Sequence, residues 1–89
     1  MGKYVSTIEL SARVRVALVI ESGKIMPRWF EQMDRASRER VHVKQVCYTW
    51  TYNEGSAKII SFAVTDGANT YRLSLNTQDF SWTLGIADM

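Results

Sequence analysis

Of the residues that most tightly constrain a small domain, the 89-residue chain has almost none: one cysteine, one proline and one histidine. Cys47 alone excludes an internal disulfide, and a secreted domain of this size normally needs several bridges, so the chain reads as a reduced, cytoplasmic protein. His42 and Cys47 together fall short of the four ligands of a structural zinc site, and neither a metal nor another cofactor is expected. Long apolar runs are missing as well. The longest, residues 17–20, is too short for the core of a signal peptide or a membrane span, so no membrane partner is expected. Residues 1–6 match the loose pattern for N-myristoylation, but a plain N-terminal tail is the simpler reading. Strong charge of either sign is lacking too. The 11 basic and 9 acidic side chains leave a net +2, so a nucleic-acid surface would have to come from how the charges are distributed. Neither a P-loop nor a glycine-rich dinucleotide fingerprint occurs.

What the chain does have is 46% hydrophobic and 22% charged residues, the balance of a packed globular domain rather than a disordered segment. One domain over residues 1–89 is expected, with residues 1–6 and 86–89 as flexible tails.

The apolar residues recur with a period of two. Ile8, Leu10, Ala12, Val14, Val16, Leu18 and Ile20 share one side of a first strand. At about 3.3 Å per residue, residues 8–20 reach about 40 Å, twice the usual strand, so this strand must bend or pass its first part to another subunit. Pro27 confines the next strand, residues 26–33, to an edge or a strand start. Residues 34–40 lack apolar anchors and read as an exposed loop or at most one helical turn. Val41 and Val43 then open a third strand, but Val46, Tyr48, Trp50 and Tyr52 have the opposite parity, which predicts one β-bulge near Lys44 and Gln45. Residues 57–65 form a fourth strand. Asp66 and Gly67 give the clearest hairpin signal, since the pair tolerates positive φ. Tyr71, Leu73 and Leu75 alternate on a fifth strand, and Phe80, Trp82 and Leu84 on a sixth. Loops this short forbid crossovers, so the fold class is all-β: an antiparallel meander of about six strands, forming a strongly curved sheet or small open barrel. Shared parity assigns Val14, Val16, Phe62, Val64, Tyr71, Leu73, Phe80 and Trp82 to the core.

Catalytic groups do not assemble in the sequence. His42 falls on a polar-facing position, and Cys47 reads as a small buried hydrophobe. Of Glu31, Glu54, Asp66 and Asp79, three fall in turns, where carboxylates serve the backbone. A non-catalytic domain acting through interaction is expected, foremost through self-association. The first strand offers more pairing groups than one neighbour can use, so a homodimer through it is the leading expectation. Nucleic-acid binding is the alternative, with Arg13, Arg15 and Arg72 on the polar parity of their strands and Arg35, Arg38 and Arg40 in one loop. Against it, alternation assigns Trp29, Trp50 and Trp82 to the core. At least two strand aromatics would have to share the basic surface. Binding of a small ligand is a further possibility.

Several segments together resemble a family of small uncharacterised bacterial β domains. They are Pro27, Arg28, Trp29 and Phe30; Tyr48, Thr49 and Trp50; Glu54 and Gly55; Thr65, Asp66, Gly67, Ala68 and Asn69 followed by Tyr71; and the closing Trp82. The similarity covers about residues 25–84 and implies a stand-alone β domain, with no catalytic residue or cofactor to carry over. Residues 34–40 depart from the tight glycine-containing hairpin that the resemblance leads one to expect there.

Overall fold

Alternating sequence becomes alternating structure in seven strands: β1 (Ala12–Glu21), β2 (Lys24–Gln32), β3 (Arg40–His42), β4 (Gln45–Glu54), β5 (Ala57–Thr65), β6 (Thr70–Asn76) and β7 (Ser81–Ile86). The computed structural model describes residues 12–33 and 39–86. All neighbours pair antiparallel in one sheet of order β3-β2-β1-β7-β6-β5-β4, curled into a half-barrel. The all-β, curved, open-barrel architecture expected from the sequence is therefore the one observed. The strand count is seven because the expected third strand divides into β3 and β4.

That division closes the shape. β3 and β4 lie at opposite ends of the sheet order, yet only Val43 and Lys44 separate them. The Val43 amide donates to the Arg28 carbonyl of β2 at 2.8 Å, and the next amide, Lys44, donates to the Thr65 carbonyl of β5 at 2.8 Å. Two successive residues thus hydrogen-bond to opposite ends of the sheet, which only a curled sheet permits.

Tight turns set the meander. The loop after β5 is built on Asp66, whose Oδ1 accepts from the amides of Ala68 at 2.8 Å and Asn69 at 2.7 Å. Gly67 within it has φ +101°, a conformation that side-chain-bearing residues adopt only with strain, as the Asp-Gly pair led one to expect. Pro27 is buried in β2 opposite Leu18, where the β1–β2 register shifts by one residue. It lies just outside the β3 ladder, so its missing amide interrupts no bond there.

The concave side holds the core. Phe30, Phe62, Val64 and Leu73 are fully buried there with Val14 and Leu84, and Val16, Tyr71 and Trp82 pack against them half-buried. Phe30 meets Tyr71 edge-on at 5.2 Å between ring centroids, and Phe62 meets Trp82 at 5.8 Å. Aromatic pairs in edge-on or offset arrangements contribute about 0.5–1.5 kcal/mol beyond the area they bury.

Phe80 corrects the core expected from parity. It is 72% exposed, because it ends the β6–β7 turn at φ +58° instead of beginning the strand, and the left-handed backbone turns it off the concave face. Its amide donates to the Asn76 carbonyl at 2.7 Å, closing that turn. Strand β7 extends to Ile86, which pairs with Tyr71, one residue into the expected tail. Residues 8–11 of the long first strand, and Arg35 and Arg38, lie outside the described residues. Of that strand, Ala12 and Arg13 pair with β7, and beyond them β1 follows β2 alone.

Candidate functional site

The convex face is best read as rows of directly paired residues, which share one side of a sheet. One row runs Tyr48, Ala63, Arg72, Gly85 across β4, β5, β6 and β7. The next runs Trp50, Ser61, Ser74, Thr83 and on to Arg13 of β1. A third runs Tyr52, Ile59, Asn76, Ser81. None of these residues is acidic.

Two irregularities put the aromatics on this face. The β3–β4 step at Val43 and Lys44 brings Val46 back to the core, as the bulge expected near Lys44 and Gln45 was to do. A second irregularity, a register shift between Val46 and Tyr48, then inserts Cys47 as an extra residue and reverses the parity of everything after it. Tyr48, Trp50 and Tyr52 therefore point outward, 67%, 40% and 46% exposed. Trp50 is a correction to the core expected from alternation, and so is Cys47, which is exposed.

Between the aromatics and Arg72 lies a floor of small side chains. Ser61 and Ala63 are buried although they face outward, with the large Trp50 and Tyr48 side chains of β4 beside them on the same rows. The hydroxyls of Ser61 and Ser74 share a 2.8 Å hydrogen bond, so the buried polar atom is satisfied. Gly85 is what lets Arg72 lie flat: a Cβ there would come within 2.6 Å of Arg72 Nη2.

The three expected arginines fare differently. Arg72 shares a row with Tyr48, and Arg13 a row with Trp50. Arg15 is tied up elsewhere. Its Nη2 donates to Glu31 Oε1 at 2.6 Å, while Arg40 Nε donates to Oε2 at 3.1 Å and its guanidinium stacks 3.8 Å from the Trp29 ring centroid. The Glu31 side chain is only 8% exposed, and the Arg15 hydrogen bond, aided by Arg40, holds its carboxyl below the ordinary range against the opposing effect of burial. Trp29 is half-buried beneath Arg40 on the same outer side as His42, its directly paired neighbour, so it too leaves the core position expected of it. Trp82 alone of the three tryptophans packs against the core.

The remaining candidate groups have local roles. Asp66 organises its turn and accepts from the Tyr71 hydroxyl at 3.1 Å. Asp79 Oδ1 accepts from the Ser81 amide at 3.0 Å and hydroxyl at 2.8 Å. Both carboxyls are held below their ordinary range, Asp66 chiefly by the Asn69 and Ala68 amides and Asp79 chiefly by Ser81. Among the described residues, no three His, Cys, Asp or Glu side chains gather as a metal ion would require. On the concave side, a cleft of 520 Å³ opens between the β1–β2 turn and strands β4 and β5, lined by Ile25, Met26, Val46, Thr49, Ile60 and Phe62.

No family model matches the chain, and comparison with curated proteins and with solved structures gives no match. The site must therefore be interpreted from its own chemistry.

Proposed function

We propose that the domain binds single-stranded nucleic acid across its convex face, with bases stacking on Tyr48, Trp50 and Tyr52 and the phosphates attracted by the positive charge of Arg72 and Arg13 across the same face. One observation carries this reading: three exposed aromatics occupy alternate positions of one strand, on the same rows as two arginines and with no acid between them. Alternate residues of a strand are about 6.6 Å apart, a spacing that an extended, unstacked strand of bases can follow. At about 4.8 Å per strand, the Arg72 guanidinium, lying over Gly85 of β7, and Arg13 on β1 stand about 14 and 19 Å across the face from β4, so they supply long-range attraction for phosphates rather than direct neighbours of the stacked bases. Paired duplex keeps its bases stacked inside and offers such a surface only its phosphates. The net charge of +2 implies modest affinity, with stacking supplying much of it.

The test is anisotropy of labelled single-stranded DNA and RNA 12-mers at low salt, with a duplex of the same sequence as control. Binding of the single strands is expected to exceed that of duplex, and Trp50→Ala to weaken it by about 5- to 150-fold, the equivalent of losing one stacked base. Arg72→Ala is expected to flatten the dependence on salt. Absence of binding at about 100 µM protein, the weak end of non-specific affinity, overturns the proposal.

A second reading, binding of a small apolar ligand, is favoured by the 520 Å³ cleft, whose size falls within the usual range of about 300–1,000 Å³ for ligand sites. It predicts that an apolar dye is taken up by the folded protein and displaced when Thr49→Trp fills the cleft. Uptake unaffected by that substitution would dismiss it.

A further inference from the structure

Among the described residues, strand β4 has β5 on one side only: past Val46 its other edge faces no described strand, and it is the end of the sheet order. Natural edge strands are normally blunted by lysine, proline or inward-pointing charge. β4 carries another such device, the bulge at Cys47, at one end; from Tyr48 to Asn53 it has neither a charged residue nor a proline. Its middle, Tyr48, Thr49, Trp50, Thr51, Tyr52, reads the same in both directions.

From these features we infer that β4 pairs antiparallel with β4 of a second copy of this chain, with the two-fold axis at Trp50. The palindrome matters because an isologous antiparallel pair places each residue opposite its mirror position. With Trp50 on the axis, Trp50 meets Trp50 of the second copy, each Tyr48 meets a Tyr52, and each Thr49 meets a Thr51. Aromatic pairs and threonine pairs are among the cross-strand combinations that stabilise sheets. The same register keeps all six aromatics on the convex side, since directly opposed residues share a face. It also sets Lys44 of each copy at the same end of the ladder as Glu54 of the other, whereas parallel pairing would collect like charges at each end. The dimer is independent of the nucleic-acid reading. It is distinct as well from a dimer through the first strand, which would use residues 8–12.

Register-specific crosslinking tests it in a Cys47→Ser background. Directly opposed Cα atoms in an antiparallel pair lie about 4.5–5.5 Å apart, within the range a disulfide spans. Trp50→Cys is expected to give a covalent dimer on mild oxidation. Tyr48→Cys and Tyr52→Cys are expected to crosslink when mixed, and each far less alone. Sedimentation should show the unmodified chain as a dimer at about 100 µM, a concentration a specific interface should readily saturate, and Trp50→Lys, which opposes two ammonium groups, as a folded monomer. A monomeric unmodified chain overturns the inference. So does a dimer that dissociates on deletion of residues 1–11 while Trp50→Lys leaves it intact, or one in which Tyr48→Cys alone crosslinks as well as the mixture.

Discussion

Strands β4 and β5 run side by side, antiparallel through nine directly opposed pairs, and both are rich in large apolar residues. Yet β5 is buried at Ala57, Ile59 and every position from Ser61 to Val64, while β4 is exposed everywhere except the half-buried Val46. The difference is one of position. β5 has a neighbour on each side, so its concave residues fill the core and its small convex residues lie between β4, with Tyr48 and Trp50, and β6, with Arg72 and Ser74. Among the described residues β4 has one neighbour, and it has a bulge, so its aromatics meet solvent. Large side chains in a strand therefore report packing in one case and an accessible surface in the other.

Substitutions along the two strands should separate sharply. Phe62→Ala, at 1% exposure in β5, should destabilise by about 3–5 kcal/mol in denaturant titrations, the cost of an aromatic-sized cavity. Loss under about 1 kcal/mol would mean the concave face is not the core. Gly67→Val should cost about 1–3 kcal/mol through its φ of +101°, and should leave oligonucleotide affinity intact because the turn lies off the aromatic rows.

The ion triad gives a dependence on pH. Glu31 has a lowered carboxyl pKa in the folded chain, so its contribution to stability is present above the ordinary carboxylate range and lost as pH falls through the folded value. Glu31→Gln should therefore lower the urea midpoint at pH 7 and narrow its gap to the parent as the pH approaches 3. A gap constant with pH would show that Arg15 and Arg40 do not act through the carboxylate charge. The smallest effect is expected at Phe80. Phe80→Gly removes an exposed ring from a left-handed backbone and should change stability by no more than about 1 kcal/mol, in the stabilising direction.

The reading of Phe80 shows where sequence pattern stops. Its parity matches Trp82 and Leu84, and nothing local reveals that the backbone turns left-handed one residue before β7 begins. Much else was legible. Residues 57–65 and 71–76 alternate cleanly because each strand lies between two others, and Asp66 with Gly67 specifies its turn through its own side-chain bonds. The mismatch between Val43 and Val46 exposed the irregularity that became the β3–β4 step. The second one, at Cys47, was hidden, because an apolar residue on either side of a bulge looks the same as a core residue, and threonines at 49 and 51 suit either face. The pairing of Ala12 and Arg13 with β7 joins distant segments and leaves no local trace. Of the arginines proposed from parity, Arg13 and Arg72 fall on the aromatic rows, while the partner of Arg15 is fixed by cross-strand register, which only the folded sheet provides.

The most direct test of the central claim, that the β4 aromatics serve binding while β5 serves the core, is a paired measurement on Trp50→Ala: its denaturation midpoint and its affinity for a single-stranded 12-mer. The predicted result, with the midpoint taken at protein dilute enough for the chain to be monomeric so that β4 pairing does not contribute, is stability within about 0.5 kcal/mol of the parent, as for an exposed surface position, together with affinity reduced at least about 5-fold. Stability lowered by several kcal/mol with affinity unchanged would place Trp50 in the core and contradict the account.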